Sequence, residues 1–189
     1  MADAYQLFYY AFLILMIFLP FFWLRIVKKL SWKKLLAHLF PKPKSVKEEV
    51  FGAITLLVLL LVAFVVVSSL ITFVAGALNM PQIDDLEKVA QSIGNYKDNI
   101  LFFVAMLFPL LLIEEFFFRA FLVPRIGPII STILFAGAHI TYWSIAEVIG
   151  VFALGLILAY WYKKNNSLLQ NFFGHLLYDF IAIAIYLVG

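Results

Sequence analysis

The sequence of 189 residues has no cysteine, which excludes disulfides, thiol nucleophiles and thiolate metal sites. It is also poor in charge. Only 13% of its residues are Asp, Glu, Lys or Arg, whereas 65% are hydrophobic and 21 are phenylalanine. A water-soluble domain of this length needs far more charge to coat its surface. A mean hydropathy of +1.03 instead makes lipid part of the solvent. A positive segment ahead of the first apolar run is lacking too: residues 1–5 carry Asp3 and no basic side chain, and no small-residue cleavage site follows the run. That run is expected to be a retained first span and not a signal peptide.

What is present is a series of apolar stretches, at roughly 6–27, 50–77, 101–123, 128–144, 146–162 and 168–188. Most approach the ~20 residues that cross a hydrocarbon core of about 30 Å. The second is long enough to tilt or protrude. The expected fold is all-α: a polytopic transmembrane helix bundle of about six spans. It forms a single membrane domain over residues 1–189, with two N-terminal spans and their loops in 1–99 and a four-span core in 100–188.

The first loop is basic, with Arg25, Lys28, Lys29, Lys33, Lys34, Lys42, Lys44 and Lys47. Within it, Ser31 is placed to cap a short helix that Pro41 and Pro43 end. Leu35, Leu36, Leu39 and Phe40 would share a face with Lys33 and Lys34 off it, which suits an interfacial helix on an anionic membrane surface. Arg125, Lys163 and Lys164 fall on the same side of a six-span bundle. The other side has only Lys88 and Lys97 among Asp84, Asp85, Glu87 and Asp98. The Lys/Arg bias therefore predicts cytoplasmic basic loops and both termini outside. Tyr5, Tyr9, Trp23, Trp143, Trp161 and Tyr186 fall near span ends, where interfacial rings sit.

Glu114, Glu115, Arg119, His139, His175 and Asp179 lie inside apolar stretches where topology does not need them. Each charge at that depth costs at least ~2.5 kcal/mol, so these groups must pair or face a cavity. At ~1.5 Å per residue, Glu114, His139 and His175 lie roughly 13, 16 and 10 Å from the basic side, on three different spans. Glu115 and Arg119, at i,i+4, can form an ion pair. Glu114, rotated by about 100°, is then the carboxylate left to face the histidines. Asp179, one turn beyond His175, can orient its imidazole. Gly137, Ala138 and Gly174 permit close helix approach or leave room for a substrate. Glu147 reads as interfacial, and Ser68, Ser69, Ser131 and Thr132 as helix-packing residues.

Three motifs run through these positions: EEFFFR at 114–119 (E-E-x-x-x-R), FAGAH at 135–139, beginning at Phe135 (F-x-x-x-H), and HLLYD at 175–179 (H-x-x-x-N/D). In this order on separate apolar stretches they resemble the CPBP family, the CAAX-protease and bacteriocin-processing intramembrane proteases also called Abi. The resemblance covers about residues 100–185. It implies that Glu114 and His139 activate water, that His175 and Asp179 stabilise the oxyanion, and that Glu115, Arg119 and Phe135 support them. The CAAX-processing branch commonly has Asn where this chain has Asp179. An ionised Asp would repel an oxyanion, so Asp179 is protonated, acts through His175, or helps hold a metal.

The expected activity is that of an intramembrane endopeptidase, a multi-pass protein of the cell membrane if prokaryotic. Glu114, His139 and His175 can supply a two-His-one-carboxylate set for zinc, leaving positions for water. A metal-free glutamate mechanism fits the same residues and is preferred. The implied partners are membrane lipids and a peptide or protein substrate, prenylated at a C-terminal CAAX-like motif in the CAAX branch, and not nucleic acid. The alternative functions are a non-catalytic scaffold or immunity-type membrane protein, and a proton or ion pathway. A relay would spread its ionisable groups along the membrane normal, and here they share one depth.

Overall fold

The computed structural model describes residues 2–83, 85–94 and 99–188. Asp84, Lys97 and Asp98, and the side chains of Asp3, Tyr5 and Tyr186, lie outside what is described. Among the described residues every regular element is helical, and five helical runs are long and apolar enough to cross a membrane.

Helix α1 (Ala2–Phe22) continues into a π-helical turn at Trp23–Val27. Pro20 removes one backbone donor just before that turn, and loss of an i→i−4 bond is a usual cause of such local rewinding. Helix α2 (Trp32–Leu39) is the short helix expected in the basic loop. Ser31 stands at its N-cap with extended geometry, though its side chain makes no cap bond. Its apolar face differs from the expected one. Leu35 and Leu39 are fully buried, whereas Leu36 and Phe40 stay nearly half exposed. The buried pair packs into a cluster with Met16, Phe116, Phe117 and Phe121, so this face of α2 rests on protein.

Helix α3 (Val46–Ala77) has 32 residues, about 48 Å at 1.5 Å per residue, which exceeds the bilayer core as anticipated. It starts before the apolar stretch because Ser45 and Glu48 form a reciprocal capping box. Beyond it comes the short α4 (Glu87–Gly94).

The expected third and fourth spans are one 39-residue run, Ile100–Ala138. It comprises α5 (Ile100–Glu114), a π-helical segment (Glu115–Leu122) and α6 (Val123–Ala138). The run reverses at Gly127, whose φ of 83° is a left-handed conformation that glycine adopts without steric cost. Ser131 Oγ donates to the Phe118 carbonyl at 2.7 Å although 13 residues separate them; a straight helix would hold them about 20 Å apart. Two antiparallel limbs therefore replace two separate spans, which is why five runs are found where about six were expected. The second limb is helical only to Ala138. Residues Ile140–Tyr142, expected to continue the helix, form a 3₁₀ turn.

Helices α7 (Ile145–Asn165) and α8 (Leu168–Val188) complete the bundle. Half of α8's spanning window is buried, against 28% or less for the other runs, so α8 is the central helix. Gly52 on α3 makes room for the Gln170 side chain, which a Cβ there would meet at 2.3 Å. A Cβ at Gly174 would likewise meet the Leu56 side chain of α3 at 2.9 Å. Of the two roles foreseen for the small residues, Gly174 serves close approach. Gly137 faces open space.

Outside the spans, Asp85 ties the α3–α5 connection to the start of α7. Its carboxylate accepts from Ser144 Oγ at 2.7 Å and from the amides of Ala146 and Ile145 at 3.0 and 3.2 Å. Lys88 Nζ donates to Asp85 at 2.8 Å and to the Trp143 carbonyl at 3.0 Å. These amides are orphan donors at a helix N-terminus, where a carboxylate is favoured. These bonds hold Asp85 well below the usual carboxylate range, overcoming the opposing effect of its burial.

Candidate active site

The π-helical segment carries the centre. All eight of its residues are buried, so it touches protein on every side while its flanks face lipid. Its wider turn is closed by an i→i−5 bond from the Val123 amide to the Phe118 carbonyl. π-helical insertions of this kind are frequent at functional sites. Pro124, just beyond, has no amide to donate into the preceding turn.

Glu115 is fully buried on this segment and Arg119 nearly so. Arg119 Nη1 lies 3.3 Å from Glu115 Oε1, the ion pair expected from the i,i+4 spacing. The same oxygen lies 2.9 Å from His175 Nδ1 on α8. Spacing along one helix carries no sign of this contact. On the other side of the ring, His175 Nε2 is 3.7 Å from Asp179 Oδ1, an ion-pair distance beyond hydrogen-bond reach. His175 thus stands between two carboxylates, one from each of two helices.

Glu114, half-buried, ends α5 and lies within electrostatic range of His175, Arg119 and Glu115. It is Glu115, and not Glu114, that bonds an imidazole directly. His139 closes α6. Its Nδ1–H donates to the Phe135 carbonyl one turn back at 2.9 Å, which places the lone pair of the neutral ring on Nε2. Phe135 fills the middle of the cluster. Its ring is 4.7 Å from the His139 ring and 6.3 Å from the His175 ring, and the Arg119 guanidinium sits 4.1 Å above it. That cation–π contact offsets part of the cost of burying Arg119.

Sequence reasoning overlooked two contributors. Asn171 on α8, fully buried, donates to the Leu158 carbonyl at 2.9 Å and lies against Glu115. Tyr162 on α7 is also buried close by. Their signal was a polar atom in an apolar stretch, with Asn171 one helical turn before His175. Glu147, read as interfacial, is half-buried and within electrostatic range of Asp179. Of the packing residues, Ser131 has the Phe118 partner described above.

The donors of Glu114, His139 and His175 do not converge. Among the described residues no three His, Asp or Glu side chains form a metal-holding group. His175 directs one nitrogen to Glu115 and the other toward Asp179. In this arrangement the three do not fit the zinc set that their depth suggested.

A polytopic helical membrane protein with a carboxylate–imidazole–carboxylate cluster between its helices is the class defined by this fold and site. Residues 96–181, a little under half of the chain, match the family model described as Type II CAAX prenyl endopeptidase Rce1-like. The matched segment agrees with the motif-bearing stretch from which the CPBP resemblance was drawn. No curated protein and no solved structure matches the chain.

Proposed function

We propose that the protein is an intramembrane endopeptidase in which Glu114 is the general base. The observation that carries this reading is the division of labour between adjacent carboxylates. Glu115 shares one oxygen between Arg119 and His175, so it is committed to cations. Glu114 ends α5 beside them without a direct ion pair among the described residues.

In this scheme Glu114 takes a proton from a water held with His139 Nε2. The water oxygen bonds to the scissile carbonyl carbon. The resulting oxyanion accepts a hydrogen bond from His175 Nε2–H, present when the ring is doubly protonated. Glu114 then returns the proton to the amine as the C–N bond breaks. Asp179, at 3.7 Å, acts through His175. The open space at Gly137 leaves room for a substrate backbone beside His139. The basic loops face the cytosol in this reading, which puts the cleaved bond near that side.

The test is cleavage of prenylated and unprenylated C-terminal peptides in proteoliposomes, with and without strong chelator. Hydrolysis that survives chelation, with substoichiometric metal on the purified protein, is expected. About one equivalent of metal, lost together with activity and restored by zinc, would replace the metal-free scheme. No cleavage of either peptide would move weight to the scaffold reading.

A further inference from the structure

The largest concentration of one charge lies away from the candidate site. Helices α1 and α3 are consecutive spans, so residues 28–45 lie at one membrane face. Eight basic side chains fall between residues 25 and 47, all of them exposed, and no acidic residue lies among them. Among the described residues the ammonium groups of Lys28, Lys29, Lys33, Lys34 and Lys42 have no ion pair or hydrogen bond. Trp23 and Trp32 are exposed beside them, 38% and 57%, and the Arg25 guanidinium lies 5.9 Å from the Trp32 ring centre. Unpaired cations interleaved with indoles at headgroup level complement an anionic bilayer surface.

The opposite face of the same helix reaches the centre. Leu35 and Leu39 are buried against the phenylalanines of the π-helical segment, and the Phe40 ring stacks on Phe116 at 5.4 Å. Phe116 is the residue after Glu115. We propose that residues 25–47 bind anionic phospholipid headgroups, and that the bound headgroups hold α2 so that the Phe40–Phe116 contact positions the π-helical segment. Neutral lipid leaves the cations repelling one another and α2 less firmly held. The positioning matters for hydrolysis only if the endopeptidase reading holds; the lipid site does not depend on it.

Trp32 reports binding without any substrate. Its share of the fluorescence is the difference between the protein and its Trp32→Phe variant. In vesicles of neutral phosphatidylcholine with a minor fraction of brominated lipid, brominated phosphatidylglycerol should quench that share more than brominated phosphatidylcholine. A near-surface cation strengthens association roughly fivefold, so Lys33→Gln with Lys34→Gln should lower the preference by roughly 25-fold. Amide exchange over 115–122 should slow when phosphatidylglycerol is added, and Phe40→Ala should abolish that slowing while keeping the preference. Equal quenching by the two lipids, or displacement of the preferred lipid by a soluble polyglutamate peptide, would overturn the lipid site. Exchange indifferent to phosphatidylglycerol would overturn the positioning. Absent turnover in every lipid mixture would count against the endopeptidase reading alone.

Discussion

His175 Nδ1 meets Glu115 Oε1 at 2.9 Å across 60 residues of chain, and Arg119 meets the same oxygen at 3.3 Å. One carboxylate oxygen therefore joins two helices through a guanidinium and an imidazole, while Glu114 beside it makes no direct ion pair among the described residues. The adjacent pair is an internal control, and it yields the first expectation. Glu114→Gln keeps shape and removes the base, so turnover should fall at least about 10²-fold with melting temperature nearly unchanged. Glu115→Gln should lower the melting temperature, since it strands Arg119 and loosens His175. Turnover and thermal melts of both variants on one substrate decide this. Full activity in Glu114→Gln would remove the proposed mechanism.

Arg119→Ala should damage folding first. Both partners of the pair are buried to within 1%, and breaking such a pair costs about 3–5 kcal/mol because one charge is left uncompensated. Low yield or a large loss of thermal stability is expected. Normal stability with abolished cleavage would assign Arg119 a direct part in the chemistry.

Asp85 offers a prediction outside the membrane. Its carboxyl is held below the usual range by Lys88 and the amides at the start of α7. A depressed folded value means that its stabilisation is fully present above the unfolded value near 4 and is lost as pH falls toward the folded one. Asp85→Ala should cost about 2–3 kcal/mol, and the cost should be the same at pH 8 and pH 5. A melting difference that vanished by pH 5 would show that the latch titrates in the ordinary carboxylate range.

Topology can be read with single cysteines, since the native chain has none. Lys44→Cys and Glu87→Cys, both at exposed positions, should label from opposite sides of sealed cells, with Lys44 protected from an impermeant reagent. Labelling of both from one side would discard the orientation drawn from the Lys/Arg bias.

Much of this architecture was legible because lipid simplifies the code. Long apolar stretches must be helices, and any ionisable residue within them needs a partner. That logic located Glu114, Glu115, Arg119, His139, His175 and Asp179 and the Glu115–Arg119 pair. It failed where tertiary contacts choose between equivalent neighbours. Glu114 and Glu115 are the same residue type one step apart, and the change from α to π winding at that step alters which way each points. The reversal at Gly127 was visible as a Pro-Arg-Ile-Gly-Pro sequence, but the early end of α6 at Ala138 was not, because no proline or glycine follows it in residues 139–144 to mark a stop. Asp85 was counted only for its charge; its link to Ser144 spans 59 residues and has no local signature.

The reversal at Gly127 leaves limbs of unequal height. From Pro128 to Ala138 the second limb rises about 16 Å, roughly half the acyl layer of an ordinary bilayer. Its outward side chains, Ile129, Ile130, Ile133 and Leu134, are each about half exposed and are crowded into that short interval. Lipid chains packed along this flank have less apolar wall to cover than those along the 32-residue α3. Mismatch costs fractions of a kcal/mol per Å, and thinning of the leaflets beside α6 is the expected relief. Short or disordered acyl chains are therefore expected to gather at the flank that carries His139.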